Sequence, residues 1–196
     1  MADLQASLAR KARESAALLE AFIPANGTKI EDCAREMAAA FTAGGRLFVM
    51  GNGGSSCDAQ HVAVEFMHPI LEKRPALPAI VLGTDPALLT AIGNDQDFSV
   101  AFARQLKMLA KPGDMVLGLS TSGKSANVTR ALQAAKEMNL LTIGFTGRDG
   151  GRMPELCKYC FTVPSFSIHR IQEAHGVLVH VLWDLIHVVR GEEDVL

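Results

Sequence analysis

The rhythm of apolar and polar positions changes partway along the chain. From Leu4 to Phe22 the residues Leu4, Leu8, Ala12, Leu18, Leu19 and Phe22 fall near one side of a helical period, which predicts an amphipathic helix. Asn26-Gly27 breaks it. Thr28-x-x-Glu31 then has the form of a capping box opening a second helix to about Thr42, which Gly44-Gly45 ends. From Arg46 short continuous apolar runs replace the helical stripe: LFVM (47–50), AIVL (79–82), MVLGLS (115–120), LLTIGFT (140–146) and CFTV (160–163). Helical stretches separate them. One runs to about Met67, one opens with Asp85-Pro86 as N-cap and first helical residue, one spans about Ala126 to Met138, and a long last one spans about His169 to Val189. Strands without polar alternation, interleaved with helices, predict an α/β fold. The expected architecture is a five-stranded parallel doubly wound sheet with additional N-terminal helices. No linker, repeat or low-complexity stretch divides it, so 1–196 reads as a single domain with residues 1–43 as a helical extension. Two helices ahead of the first strand are natural material for an oligomer interface.

Composition narrows the function classes. The chain has 196 residues, 48% of them apolar, enough for a real core and too many for a disordered chain. A formal charge of −2 leaves no basic field to hold nucleic acid, so no direct nucleic-acid partner is expected. An anionic ligand needs a local cradle of donors instead. No apolar run reaches the roughly 18 residues of a membrane span, and the N-terminus lacks the apolar core of a signal peptide. No membrane partner and a cytoplasmic location are therefore expected. The four cysteines, Cys33, Cys57, Cys157 and Cys160, are too few for a disulfide scaffold. Cys157 and Cys160 form one C-x-x-C. It reads either as half a zinc site or redox pair, or as two small apolar residues leading into a strand, Tyr159–Val163; no second C-x-x-C completes a zinc cage.

In a doubly wound sheet, ligands bind beyond the carboxyl ends of the strands. Two loops there are rich in small donors. Gly51-Asn52-Gly53-Gly54-Ser55-Ser56 follows the first strand, and its glycines let a ligand approach the backbone. Ser120-Thr121-Ser122-Gly123-Lys124-Ser125 offers four hydroxyls at a helix N-terminus, where the helix dipole favours an anion. Neither loop is a Walker A, and Ser56 stands where G-x-G-x-x-G needs its last glycine. The helix after the first loop carries His61 and Glu65, whose i, i+4 spacing sets imidazole and carboxylate on one face. That pair is suited to a metal, to acid/base work, or to a solvated surface contact. On the last helix, Ile171, Leu178, Leu182, Leu185 and Val189 form a core stripe interrupted by His175, His180 and His187. Histidines in such a stripe are expected as satisfied core residues, His180 least firmly.

The strings GNGGSSCDAQHVAVEF, TAIGND, GLSTSGKSANV, GFTGRDGG and RIQEAHGVLVH resemble the bacterial sedoheptulose 7-phosphate isomerases (phosphoheptose isomerases) of the sugar-isomerase (SIS) superfamily. The resemblance spans roughly residues 30 to 190. It implies an SIS-like fold and an aldose–ketose isomerase that converts D-sedoheptulose 7-phosphate to D-glycero-D-manno-heptose 7-phosphate through an enediol, towards lipopolysaccharide heptose. It implies Glu65 as base and His180 as acid. It implies Ser120, Thr121, Ser122 and Ser125 around the phosphate, and Asn52, Gly53, Gly54, Ser55, Asn94, Asp95 and Gln172, with Glu65, around the sugar. It further implies a homotetramer with active sites between subunits, and one Zn2+ per subunit on His61, Glu65, Gln172 and His180. Eight residues separate Gln172 from His180, roughly 12 Å along a helix axis. One metal touching both requires converging side chains, a frayed helix start at Gln172, or ligands from different subunits. Two strings depart from the family. Where it commonly has T-G-R-[FY], this chain has Met67-His68-Pro69-Ile70, which supplies no arginine, and His169 replaces an acidic or small polar residue before RIQE. Two other readings stand beside the enzyme: a non-catalytic relative that binds the replication initiator DnaA, and an isomerase for another phosphosugar.

Overall fold

The computed structural model describes residues 3–70 and 74–194. Five parallel strands, β1 (Leu47–Gly51), β2 (Ala79–Val81), β3 (Met115–Ser120), β4 (Leu141–Gly147) and β5 (Tyr159–Val163), lie in the order β2-β1-β3-β4-β5. The helices are α1 (Leu4–Ala25), α2 (Gly27–Thr42), α3 (Gly54–Met67), α4 (Pro86–Asp95), α5 (Ala101–Leu109), α6 (Ala126–Glu137), α7 (Met153–Leu156) and α8 (Ile168–Val189). Both sheet faces are covered, which is why the strand runs lack polar alternation. Leu47, Val49, Leu117, Leu119 and Phe145 face α2, α3 and α8, where Met37, Val62, Phe66, Leu178 and Trp183 complete a core. Phe48, Met50 and Val116 point the other way, to Phe102 and Leu106 of α5 and Val128 and Leu132 of α6.

The strand and helix order follows the expectation, with local differences. α1 continues through Pro24, and the chain turns on Asn26 alone. The Asn26 amide donates to the Phe22 carbonyl at 2.9 Å and makes no cap bond to α2. α2 therefore starts at Gly27, Thr28 lies inside its first turn, and the expected capping box does not form. Leu4 and Leu8 do not join the core; they are 78% and 66% exposed. The stripe on α8 is also rotated from its expected setting. Val189 is exposed and Leu185 only partly buried, while Trp183 and Ile186 are inside. α5 and α7 carry too few turns for a periodic signal, and no strand run announces them.

His175 and His187 are core histidines. His175 is fully buried and its Nε2 pairs with the Thr146 carbonyl at 3.1 Å. His187 Nδ1 lies 2.6 Å from the Glu192 carboxylate. Cys157 and Cys160 are free thiols, partly buried against the second core. Among the described residues the one cluster of metal-ligating side chains lies elsewhere. No described helix is long and apolar enough to cross a membrane.

Candidate active site

The winding of the sheet reverses between β1 and β3, so the loops leaving these two strands emerge side by side. The first turns at Gly53, whose φ of +56° favours glycine. At Gly54 the Gln172 amide of α8 occupies the space where a Cβ would stand, so a side chain there would push that amide aside. Ser55 is buried at the start of α3. The second loop is held from below. Gly123, at φ +63°, packs its backbone on Gly150 and Gly151, and the Arg152 N–H donates to the Gly123 carbonyl at 3.0 Å.

Hydroxyls converge in this second loop. The Ser120 and Ser125 hydroxyls lie 2.9 Å apart, and Ser122 Oγ accepts the Lys124 N–H at 3.2 Å. Thr121 is half-buried beside them. Ser125 is the N-cap residue of α6, yet its side chain makes no cap hydrogen bond. The first turn of a helix carries N–H groups without intrahelical partners; in α6 the Val128 N–H is taken by Asn127 Oδ1, and no side-chain cap bond from Ser125 takes the others.

The two loops are tied together by a pair of amides. Asn52 Nδ2 donates to Asn127 Oδ1 at 2.8 Å, and Asn127 Nδ2 donates back to Asn52 Oδ1 at 2.8 Å. Asn127 is only 2% exposed. Asn94 and Asp95 make no side-chain hydrogen bond to either loop. They end α4, are exposed, and bond to one another at 2.8 Å.

A second group of residues lies on the helical layer. His61 Nε2 is 3.2 Å from Glu65 Oε1 and 3.2 Å from His180 Nε2. The ligating atoms of all three fall within 4.8 Å of one another. α3 and α8 run alongside in the same direction, which brings this about. Gly54 meets Gln172 near the tops of the helices, and seven and eight residues further on His61 meets His180. His61 thus sits roughly 10 Å along α3 from the glycine loop, and Gln172 roughly 12 Å from His180 along α8. The structure brings His61, Glu65 and His180 together and sets Gln172 at the loop end.

The three side chains form a group able to hold a metal ion, their ligand atoms lying within 4.8 Å of one another. Tetrahedral zinc with bonds of about 2.0–2.1 Å holds its ligand atoms roughly 3.3 Å apart, close to both observed contacts. Two imidazoles and a carboxylate also form the three-ligand set that leaves one position open for substrate.

The chain is similar to known proteins in sequence and in fold. The SIS domain model matches residues 12–147. The phosphoheptose isomerase of Desulfovibrio desulfuricans is 48% identical over 174 residues, covering 89% of this chain and 83% of that relative. That of Aquifex aeolicus is 45% identical, covering 89% and 91%. The solved structure of the Neisseria gonorrhoeae phosphoheptose isomerase superposes with a TM-score of 0.86 at 37% identity, covering 93% of this chain and 98% of that one. The chain belongs to the phosphoheptose isomerase family.

Two residues of this family member escaped the motif reading. Asn127 was hidden because its importance lies in a partner 75 positions away. Asp58, one turn before His61, is half-buried with an unpartnered Oδ2. Burial pushes its carboxyl above the usual range, while His61 pulls it down. The i, i+3 spacing of Asp58 and His61 was the available signal. The departure at residues 67–70 falls where α3 stops, with His68 as its C-cap. His169 lies in the first turn of α8.

Proposed function

We propose that the chain isomerises D-sedoheptulose 7-phosphate to D-glycero-D-manno-heptose 7-phosphate, in the cytoplasm and on the route to lipopolysaccharide heptose. The observation that carries this reading is the contact of Glu65, His61 and His180 in a phosphoheptose isomerase scaffold. A ketose becomes an aldose when a proton leaves C1 and one arrives at C2. Glu65 takes the C1 proton as base and delivers a proton to C2. His180 gives a proton to the C2 carbonyl oxygen, forming the enediol, and receives the proton of the C1 hydroxyl. Each transfer by a positioned group contributes about 10²–10⁴-fold in rate.

The phosphate sits on Ser120, Thr121, Ser122, Ser125 and the N-terminus of α6. Asn52, Gly53, Gly54, Ser55 and Gln172 receive the sugar. Asn94 and Asp95, exposed and without a side-chain hydrogen bond to either loop, act across a subunit boundary. The assembly proposed for such a shared site is a homotetramer; the exposed Leu4 and Leu8 of α1 and Val64 and Met67 beside Glu65 are apolar surfaces that support it. His61, Glu65 and His180 hold one zinc ion per subunit, which when bound supplies a Lewis acid for the carbonyl and the developing enediolate.

Turnover of sedoheptulose 7-phosphate tests the reading, measured beside other ketose phosphates before chelation, after it, and after zinc is restored. Turnover is expected to prefer the seven-carbon substrate, to fall on chelation and to return with zinc. Absence of turnover with zinc restored, or preference for another ketose phosphate, overturns the substrate assignment. Full activity in a sample shown to be free of zinc overturns the metal assignment alone.

A further inference from the structure

The Asn52–Asn127 pair lies where the two ligand loops meet. An asparagine side chain can point its oxygen or its nitrogen in a given direction, and only its partners decide which. Asn127 has a partner with no such ambiguity. Its Oδ1 accepts the backbone N–H of Val128 at 3.0 Å, and a backbone N–H can only donate. Oδ1 is thereby identified, and it also accepts from Asn52 Nδ2 at 2.8 Å. The remaining atom, Asn127 Nδ2, donates to Asn52 Oδ1 at 2.8 Å. The orientation of Asn52 therefore follows from a main-chain group in the first turn of α6. Asn52 keeps one N–H and one lone pair outside the pair, both in settled positions.

We propose that Asn127 is a positioning residue: it sets the orientation in which Asn52 presents its free N–H and oxygen lone pair to the sugar hydroxyls. This rests on the reading above that Asn52 receives the sugar. Asn127 is buried, so it acts through Asn52 and not by touching substrate. Because α6 also carries the phosphate-binding turn, the same bond holds the sugar-binding and phosphate-binding loops in register.

The test is a double-mutant cycle on the full-length protein, with kcat and KM for sedoheptulose 7-phosphate measured for Asn52→Ala, Asn127→Ala and the double variant. One lost hydrogen bond corresponds to about a tenfold rise in KM. Asn127→Ala is expected to raise KM by about that factor with kcat near parental, and the double variant to be no worse than Asn52→Ala alone. Asn127→Asp serves where the alanine variant does not fold. It keeps the acceptor for Val128 but sets a carboxylate oxygen against an Asn52 group, and KM is expected to rise likewise. A parental KM in the folded Asn127 variants, with Asn52→Ala impaired, overturns the proposal while leaving Asn52 in the sugar site. Effects that simply add in the double variant do the same. A parental KM in Asn52→Ala overturns the sugar-site assignment itself, and the proposal with it.

Discussion

The loops at the sheet edge and the His61–Glu65–His180 cluster are held in opposite ways. The loops are locked from within. Asn52 and Asn127 bond reciprocally, Gly123 packs on the Gly150–Gly151 backbone, and Gln172 fills the space over Gly54. Beneath them His175 ties α8 to the end of β4. Among the described residues the side-chain hydrogen bonds and ion pairs of the cluster run between its own members, on a helical surface where His180 is exposed and His61 and Glu65 are half-buried. A binding cradle benefits from rigidity, because ordering a loop on binding costs affinity. A reacting group must instead stay accessible to substrate, and to a metal or a neighbouring subunit. Variants of the loops should therefore move KM, and variants of the cluster should move kcat.

The largest effect is expected at the cluster. Glu65→Gln keeps the size and hydrogen bonding of the side chain but removes the base. It should lower kcat at least ~10²-fold with KM near parental, and His180→Gln should do likewise. If steady-state kinetics show near-parental kcat in both, the division of labour fails at its reactive half.

Acid should weaken the rigid half first. Burial pushes His175 down to about 4, against its hydrogen bond to Thr146, which pulls it up. Its folded pKa is thus below the unfolded value near 6.5. Between those values the unfolded chain binds a proton that the folded chain refuses, so stability falls as pH drops through this window and levels out below it. The full span corresponds to roughly 3 kcal/mol. Urea midpoints measured from pH 7 to pH 4 should show this loss, and His175→Gln should flatten it. An equal slope in the variant would move the acid sensitivity elsewhere.

The smallest effect sharpens the binding half. Ser122→Ala and Ser125→Ala should each raise KM by an amount corresponding to about 1.5–3 kcal/mol, the worth of a hydrogen bond to a charged group. Thermal melts and kcat should stay near parental. Unchanged KM in both variants would remove this loop from the phosphate site.

Patterns that repeat within a few residues were legible in the sequence alone. Apolar runs named the five strands, Asp85 and Pro86 marked the start of α4, and glycine- and serine-rich loops stood after β1 and β3. The i, i+4 spacing already placed His61 with Glu65 on one helix face. Each of these follows from local geometry: the strand pleat, the helix period, and the backbone freedom of glycine. Tertiary structure decided the rest, because it depends on which distant segments meet. The strand order put the loops of β1 and β3 together, and the parallel course of α3 and α8 brought His180 to His61 while setting Gln172 against Gly54. The capping box at Thr28 was locally well formed and still did not appear, since Asn26 turned back to bond Phe22 and let α2 begin earlier. Asn127 stood inside the string GLSTSGKSANV, but nothing local marked its partner. Its role rests on a buried partner on another loop, and no periodicity in a chain records a contact between residues 75 positions apart.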